Sequence, residues 1–144
     1  MTTNNPNFAD DVRSSFAAQA IMSAWNASLK RVELGEVEIE LPFNETLTQQ
    51  NGFLHAGIIT TIVDSACGYA ALTVMPPGAN VLSIEFKVNL LSPAVGERFT
   101  AAGRVVRAGR TIKVCQGDVY AHKDDHTKHV ALMTATMTTV LPES

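Results

Sequence analysis

The chain has 144 residues, a formal net charge of −3 and a hydrophobic fraction of 46%. This length is enough for one domain with a substantial core, and the lack of excess positive charge argues against nucleic acid as a partner. No signal peptide is recognisable, and Asp64 interrupts the apolar run that follows residue 55, so we expect no membrane span. Cys67 and Cys115 lie in apolar segments without zinc-like spacing, which favours reduced thiols in a cytoplasmic protein and leaves one disulfide as the alternative.

The first third of the chain is predicted to hold a helix and a hairpin. Residues 1–8 are rich in Asn and Thr and are expected to be disordered. A helix capped by Asp10 should run to about Trp25. Its apolar stripe consists of Val12, Phe16, Ala20 and Ala24. Residues 29–34 and 36–41 predict a half-exposed hairpin, because apolar and acidic residues alternate in the second segment.

A long apolar helix dominates the middle of the chain. A polar loop over residues 43–54 leads into a helix from about His55 to Val74, which Pro76 and Pro77 stop. This helix is apolar on all sides, which is typical of a helix enclosed by the rest of its domain.

Four strands are predicted after this helix. Alternation over residues 82–90 places apolar side chains on one face and polar ones on the other. The apolar face holds Leu82, Ile84, Phe86, Val88 and Leu90, and the polar face holds Ser83, Glu85, Lys87 and Asn89. Residues 97–107 and 111–121 predict a hairpin, and residues 130–141 a final strand. The order of elements predicts an α+β domain over residues 1–144, with an antiparallel sheet curled around the long helix.

Asp64 is the candidate functional residue that stands out without any comparison. Between residues 46 and 84 it is the only formally charged side chain. Burying a carboxylate is costly unless it is paired, hydrated or used in chemistry. A structural carboxylate bonded to a neighbouring Thr or to water is the alternative to a catalytic one.

The residues before Asp64 resemble those of a known family. The stretch concerned is Gln49-Gln50-Asn51-Gly52-Phe53-Leu54-His55-Ala56-Gly57, with Asp64 nine positions after His55. Together with Ser83, the Leu91–Ala94 turn and the Arg107–Arg110 turn, it is similar to the hotdog-fold acyl-CoA thioesterases of the PaaI (phenylacetic acid degradation) type. The resemblance implies hydrolysis of acyl-CoA thioesters by a homodimer that pairs into a homotetramer, with no metal and no cofactor beyond the coenzyme A of the substrate.

The resemblance also implies roles for individual residues. Asp64 corresponds to the catalytic carboxylate, a nucleophile or general base, and Gln49 to a polar residue of the active-site loop. His55, Ala56 and Gly57 correspond to a His-Gly-Gly whose amides polarise the thioester carbonyl, and Ser83 to a residue that places water. Ala56 replaces a glycine, which would be strained at positive φ but is harmless in a first helical turn.

Further residues are predicted to bind the substrate. The acyl pocket should lie between subunits, lined by Phe53, Leu54, Ile58 and the N-terminal helix. The arginines of the turn are predicted to hold coenzyme A phosphates, with solvated surface charges as the alternative. The remaining predicted substrate contacts are Asn51, Gly52, Ser65, Gly68, Arg107 and Arg110.

The spacing of His55 and Asp64 predicts a composite site. Nine helical residues at about 100° each place two side chains on opposite sides of a helix, with a rise of about 13.5 Å. The amides near His55 should therefore meet Asp64 of a partner chain across a two-fold axis.

Two other functions stay open from the sequence, namely a hotdog hydratase of enoyl thioesters and a non-catalytic acyl-CoA-binding module. Aromatic and medium-chain acyl groups are both compatible with the residues. The group His122, His126 and His129 with Asp124 and Asp125 matches no ligand template, so we expect no metal there.

Overall fold

The computed structural model describes residues 1–143. The helices are α1 (Phe8–Ala18), α2 (Ala20–Ala24) and α3 (Ala56–Leu72), with a 3₁₀ turn at Glu45–Leu47. The strands are β1 (Ser28–Glu33), β2 (Glu36–Pro42), β3 (Asn80–Leu90), β4 (Arg98–Ala108), β5 (Ile112–Lys123) and β6 (His126–Val140). All strand pairs are antiparallel, in the order β1-β2-β4-β5-β6-β3. The predicted α+β fold, a curled sheet packed around one long helix, is confirmed.

Two facing glycines let α3 lie directly on the sheet. Gly103 of β4 pairs with Gly117 of β5. A Cβ atom on Gly103 would lie 2.4 Å from the carbonyl carbon and oxygen of Ala66. Glycine is needed at this position because the helix backbone itself fills the space that a side chain would take. The contact fixes the height and direction of α3 over the sheet.

The N-terminal segment is ordered, contrary to the expectation for residues 1–8. Asn5 is only 4% exposed, and its side-chain amide donates to Asp11 Oδ2 over 2.7 Å. The first helix also begins at Phe8, so Asp10 lies within its first turn and does not cap it. The prediction failed because this segment is ordered by a contact between side chains that lie apart in the sequence, which local composition does not show.

The single helix predicted to reach Trp25 is broken at Gln19. This residue has extended backbone angles, φ −79° and ψ 102°, and separates α1 from α2. The break rotates the second half of the segment, so Met22 is buried while Ala20 and Ala24 are exposed. The continuous stripe that was predicted therefore ends at Phe16.

Strand β3 contains a bulge that the alternating sequence hides. Ser83 pairs with Met137 of β6 and Glu85 with Thr136, so one extra residue, Ile84, lies between them. An extra residue shifts the two-residue alternation of a strand by one position. Ser83 consequently faces the core-side Met137, whereas Glu85 bonds to Thr136. The prediction that Ser83 shares a face with Glu85 is wrong.

The free edge strand β3 carries a group of exposed apolar side chains. β3 is hydrogen-bonded only to β6 and is a terminal strand of the sheet. Five large apolar residues on or just after it are 43–60% exposed: Leu82, Ile84, Phe86, Leu90 and Leu91. Natural proteins rarely leave a long apolar edge strand uncovered, because it can pair with another chain.

Within residues 1–143, no helix is both long and apolar enough to cross a membrane.

Candidate active site

His55 caps the N-terminus of α3. Its backbone is extended, and its Nδ1 accepts a hydrogen bond from the Gly57 N–H over 2.9 Å. Accepting through Nδ1 requires the tautomer with its proton on Nε2. The preceding loop is held by two backbone bonds, from the His55 N–H to the Leu47 carbonyl and from the Leu54 N–H to the Ala94 carbonyl. The helix start is thus fixed relative to the sheet.

The Ala56 amide is the free donor of this terminus. Ala56 is the first helical residue, and within residues 1–143 its N–H has no hydrogen-bond partner. The Gly57 amide, which was predicted to act beside it, is instead engaged by His55. Helix N-termini carry partial positive charge, so one preorganised N–H can stabilise a developing oxyanion. Ala56 does not have positive φ, and its methyl group causes no backbone strain.

Gln49 organises the loop before the helix. Its Oε1 accepts from the Asn51 N–H over 2.5 Å and from the Phe53 N–H over 3.3 Å. The carbonyl end of the side chain is therefore occupied by the loop. The amide nitrogen is the end that remains for contact with a ligand.

A cavity of about 530 Å³ opens beside the Ala56 amide, and we call it the amide cavity. Most of its walls are apolar. The lining residues are Gln49, Gln50, Phe53, Leu54, His55, Ala56, Ile59, Leu90, Leu91, Ser92, Pro93, Ala94 and Val130. Phe53 and Leu54 are present as predicted, but Ile59 takes the place of Ile58, which packs against the core.

Asp64 lies in a second cavity, about 410 Å³ in volume, which we call the carboxylate cavity. The half-buried carboxylate accepts a 2.7 Å hydrogen bond from Ser83 Oγ through Oδ1. This contact depends on the bulge in β3, because only the shifted alternation turns Ser83 toward α3. Asp64 Oδ2 stays available to take up a proton or to attack a carbonyl carbon.

The carboxylate cavity has a polar far wall. It is lined by Ser15, Gln19, Asp64, Ser65, Gly68, Tyr69, Val81, Leu82 and Ser83. Ser65 and Gly68 were predicted near the substrate, and the N-terminal helix was predicted to line the acyl pocket, but Ser15, Gln19 and Tyr69 were not singled out. They were missed because Gln19 comes from a helix break and lies 45 positions before Asp64 in the sequence.

The two candidate groups on α3, the Ala56 N–H and the Asp64 carboxylate, do not meet within one chain. Ala56 precedes Asp64 by eight residues, or about 12 Å along the helix axis. The two residues line different cavities. His55 itself is not helical, so the predicted placement of His55 and Asp64 on opposite sides of one helix does not apply. The axial separation alone prevents both groups from contacting one thioester carbonyl.

The other predicted substrate contacts lie away from both cavities. Asn51 and Gly52 line a small cavity of about 260 Å³ near Phe43 and Lys123. Arg107 is exposed at the end of β4. Arg110 lines a cavity near the N-terminal segment. The structure therefore groups these residues separately from Asp64 and Ala56.

The two cysteines are unsuited to nucleophilic chemistry. Cys67 and Cys115 are free and buried. Burial raises the pKa of the Cys67 thiol, and it raises the pKa of Cys115 to about 12. The reactive thiolate is therefore suppressed at neutral pH.

A curled antiparallel sheet packed around one long helix is the hotdog fold, which this chain shares with thioesterases of known structure. The comparisons with known proteins agree with this class. The chain belongs to the thioesterase superfamily, whose family model matches residues 51–128. The protein is therefore a thioester hydrolase.

The similarity to individual proteins extends over most of the chain. A thioesterase family protein from Silicibacter pomeroyi is 47% identical, with a TM-score of 0.92, and the alignment covers 94% of this chain and 99% of that one. Acyl-coenzyme A thioesterase 13 of Mus musculus is 28% identical over 63% of this chain and 70% of its own length. The E. coli PaaI protein shares the fold, with a TM-score of 0.83, 16% identity and coverage of 93% and 94%.

Proposed function

We propose that the protein hydrolyses acyl-CoA thioesters to a free acid and coenzyme A in composite sites of a homodimer. Asp64 of one subunit acts as general base or nucleophile, and the Ala56 amide of the partner subunit holds the carbonyl oxygen. One observation carries this proposal. The free Ala56 N–H and the accessible Asp64 carboxylate lie in separate cavities of one chain.

The geometry of β3 supports such a dimer. The carboxylate cavity adjoins the start of β3, at residues 81–83, and the amide cavity adjoins its end, at Leu90 and Leu91. Antiparallel pairing of two β3 edges about a two-fold axis brings the start of one strand beside the end of the other. The same pairing would cover the exposed apolar side chains of β3. Further pairing of dimers into a tetramer is part of the proposal, by resemblance alone.

The chemistry follows from these two groups. In the general-base route a water oxygen attacks the carbonyl carbon while Asp64 takes the water proton. The oxyanion accepts a hydrogen bond from the Ala56 N–H, an interaction worth roughly 3–4 kcal/mol in comparable oxyanion holes. The C–S bond then breaks, and the coenzyme A thiolate leaves and takes up a proton. In the nucleophilic route Asp64 attacks the carbonyl carbon and the C–S bond breaks, so that the coenzyme A thiolate leaves and takes up a proton. Water then hydrolyses the resulting anhydride to the free acid and restores Asp64.

The apolar walls of the amide cavity support an aromatic or medium-chain acyl group as its occupant. Arg107 and Arg110 are assigned to coenzyme A phosphates by resemblance. The free, buried thiols of Cys67 and Cys115 favour a cytoplasmic location.

Mixed dimers test the composite site. Asp64→Asn removes the base, and Ala56→Pro removes one N–H at the first helical position, where proline is tolerated. Each variant alone should be inactive. Heterodimers of the two should regain about one intact site, because one of their two sites combines both wild-type residues. Thiol release from a panel of acyl-CoA substrates is the measurement, with double-bond hydration of an enoyl-CoA measured in parallel. Absence of recovery in verified heterodimers would contradict the proposal.

A further inference from the structure

The far wall of the carboxylate cavity is a hydrogen-bonded network centred on Gln19. Gln19 Nε2 donates to Tyr69 Oη over 2.7 Å, and Gln19 Oε1 accepts from Ser65 Oγ over 3.1 Å. Ser15 Oγ donates to the same Tyr69 hydroxyl over 3.3 Å. Ser65 directly follows Asp64 on α3, so this network begins one residue from the carboxylate.

The helix break is what brings Gln19 to this place. Its extended backbone lies between α1 and α2, and the side chain reaches across to α3. The edge-on contact between Phe16 and Tyr69, with ring centroids 6.0 Å apart, holds α1 against α3. Helices α1 and α2 precede the segment matched by the family model, which starts at residue 51.

The network leaves hydrogen-bonding capacity for a ligand. A glutamine amide has two N–H donors and two carbonyl lone pairs. One of each is used by Tyr69 and Ser65. Within residues 1–143 one donor and one acceptor of Gln19 therefore remain, on a wall of the cavity that holds Asp64. A secondary amide can use either of them, because its N–H can donate to Gln19 Oε1 or its carbonyl oxygen can accept from Gln19 Nε2.

We propose that Gln19 is a specificity-determining residue that recognises an amide in the thiol portion of the thioester. The inference rests on the proposed function, in which the carbonyl lies between Asp64 and the partner's amide cavity. An acyl group in the apolar amide cavity directs the thiol portion into the polar carboxylate cavity. In coenzyme A that portion carries an amide nitrogen two carbons from the sulfur.

Matched pairs of small thioesters test the assignment. Each acyl group is presented once as the N-acetylcysteamine thioester and once as an S-alkyl thioester of equal length without the amide. The wild-type protein should show a higher kcat/KM for the amide-bearing member. Gln19→Met, which keeps the length and removes the hydrogen bonds, should reduce that preference by about 3- to 10-fold, as expected for loss of one or two net hydrogen bonds.

Two further variants make the result specific. Gln116→Met is the matched control, because it makes the same chemical change on β5, where Gln116 bonds to Arg104 of β4 outside both cavities. This variant should leave the preference unchanged. Tyr69→Phe removes one hydroxyl that anchors Gln19 and should reduce the preference less than Gln19→Met does. It also serves as the test if Gln19→Met fails to fold, which thermal unfolding will show.

The outcomes separate the two proposals. An unchanged preference in Gln19→Met, or an equal loss for both members of each pair, would overturn the role of Gln19 and leave the thioesterase proposal intact. A variant that instead changes discrimination between 3-hydroxyacyl and unsubstituted acyl groups would show that the acyl arm contacts Gln19, and would also overturn the assignment. Inactivity of the wild-type protein toward every thioester, coenzyme A esters included, would overturn the proposed function as well.

Discussion

The amide cavity and the carboxylate cavity adjoin the same helix but differ in chemical character. The first has mainly apolar walls and includes the free backbone N–H of Ala56. The second has a carboxylate, several hydroxyl groups and an amide. The carboxylate and the free N–H of the helix start therefore lie in different cavities. In the proposed mechanism, each cavity serves one half of a two-ended substrate, and catalysis uses one cavity from each of two chains.

The largest expected effect is at the base. Asp64→Asn should lower kcat by about 10³-fold, within the range typical of general acid–base catalysis, because the amide cannot take up a proton from water. Asn can still accept from Ser83, so the fold and KM should change little. Steady-state kinetics of thiol release measure this. Retention of wild-type kcat in Asp64→Asn would eliminate the carboxylate from the mechanism.

The next largest effect concerns the Ala56 N–H of the amide cavity. Ala56→Pro should lower kcat by about 10²- to 10³-fold, as for removal of one oxyanion-hole donor. The extended backbone of His55, with ψ of 141°, is compatible with a following proline, so the free energy of unfolding should barely change. Ala56→Gly is the matched control, because it alters the side chain but keeps the N–H. Equal activity of the two variants would rule out the amide.

A third change tests how closely α3, the helix that both cavities adjoin, lies on the sheet. Gly103→Ala should lower the free energy of unfolding by about 3 kcal/mol, because the new methyl group meets helix backbone that cannot move aside locally. Gly117→Ala should cost less, because its nearest neighbours are the side chains of Val63 and Cys67. Urea unfolding of both variants gives the comparison. The reverse order of stabilities would contradict this view of the contact.

The smallest effect should come from His55, which acts through the helix cap. His55→Ala should cost about 1 kcal/mol of unfolding free energy, a typical value for loss of an N-cap side chain. His55→Asn should recover most of this, because Asn also accepts from helix N–H groups. Chemical denaturation and kcat are measured together. A large and equal loss of kcat in both variants, at normal stability, would assign the imidazole to the chemistry.

The sequence was informative wherever a pattern is local. The alternation in β2 and the apolar run that starts near residue 56 predicted the hairpin and α3 within two residues or so. Asp64 stood out because burial of an isolated charge is costly. The resemblance added the helix N-terminus to the site, although it assigned both Ala56 and Gly57 to the oxyanion.

The sequence failed where one residue changes the register of an element. The apolar stripe of α1 gives no sign of the break at Gln19. The contacts that hold Gln19 in place are made by its side chain with Ser65 and Tyr69 of α3, which lie far away in the sequence. The regular alternation over residues 82–90 likewise gives no sign of the bulge, since the extra residue is set by pairing with β6. Both features depend on distant parts of the chain, and both contribute directly to the carboxylate cavity.

The bulge at Ile84 makes the Asp64–Ser83 contact sensitive to strand length. A deletion of this one residue would yield a strand with fewer irregularities and a sequence that still looks well suited to a sheet. It would also rotate Ser83 away from α3 and leave Asp64 without its hydroxyl donor. In an alignment of relatives, a one-residue gap at this point would therefore indicate a differently supported carboxylate, even where Asp and Ser are both retained.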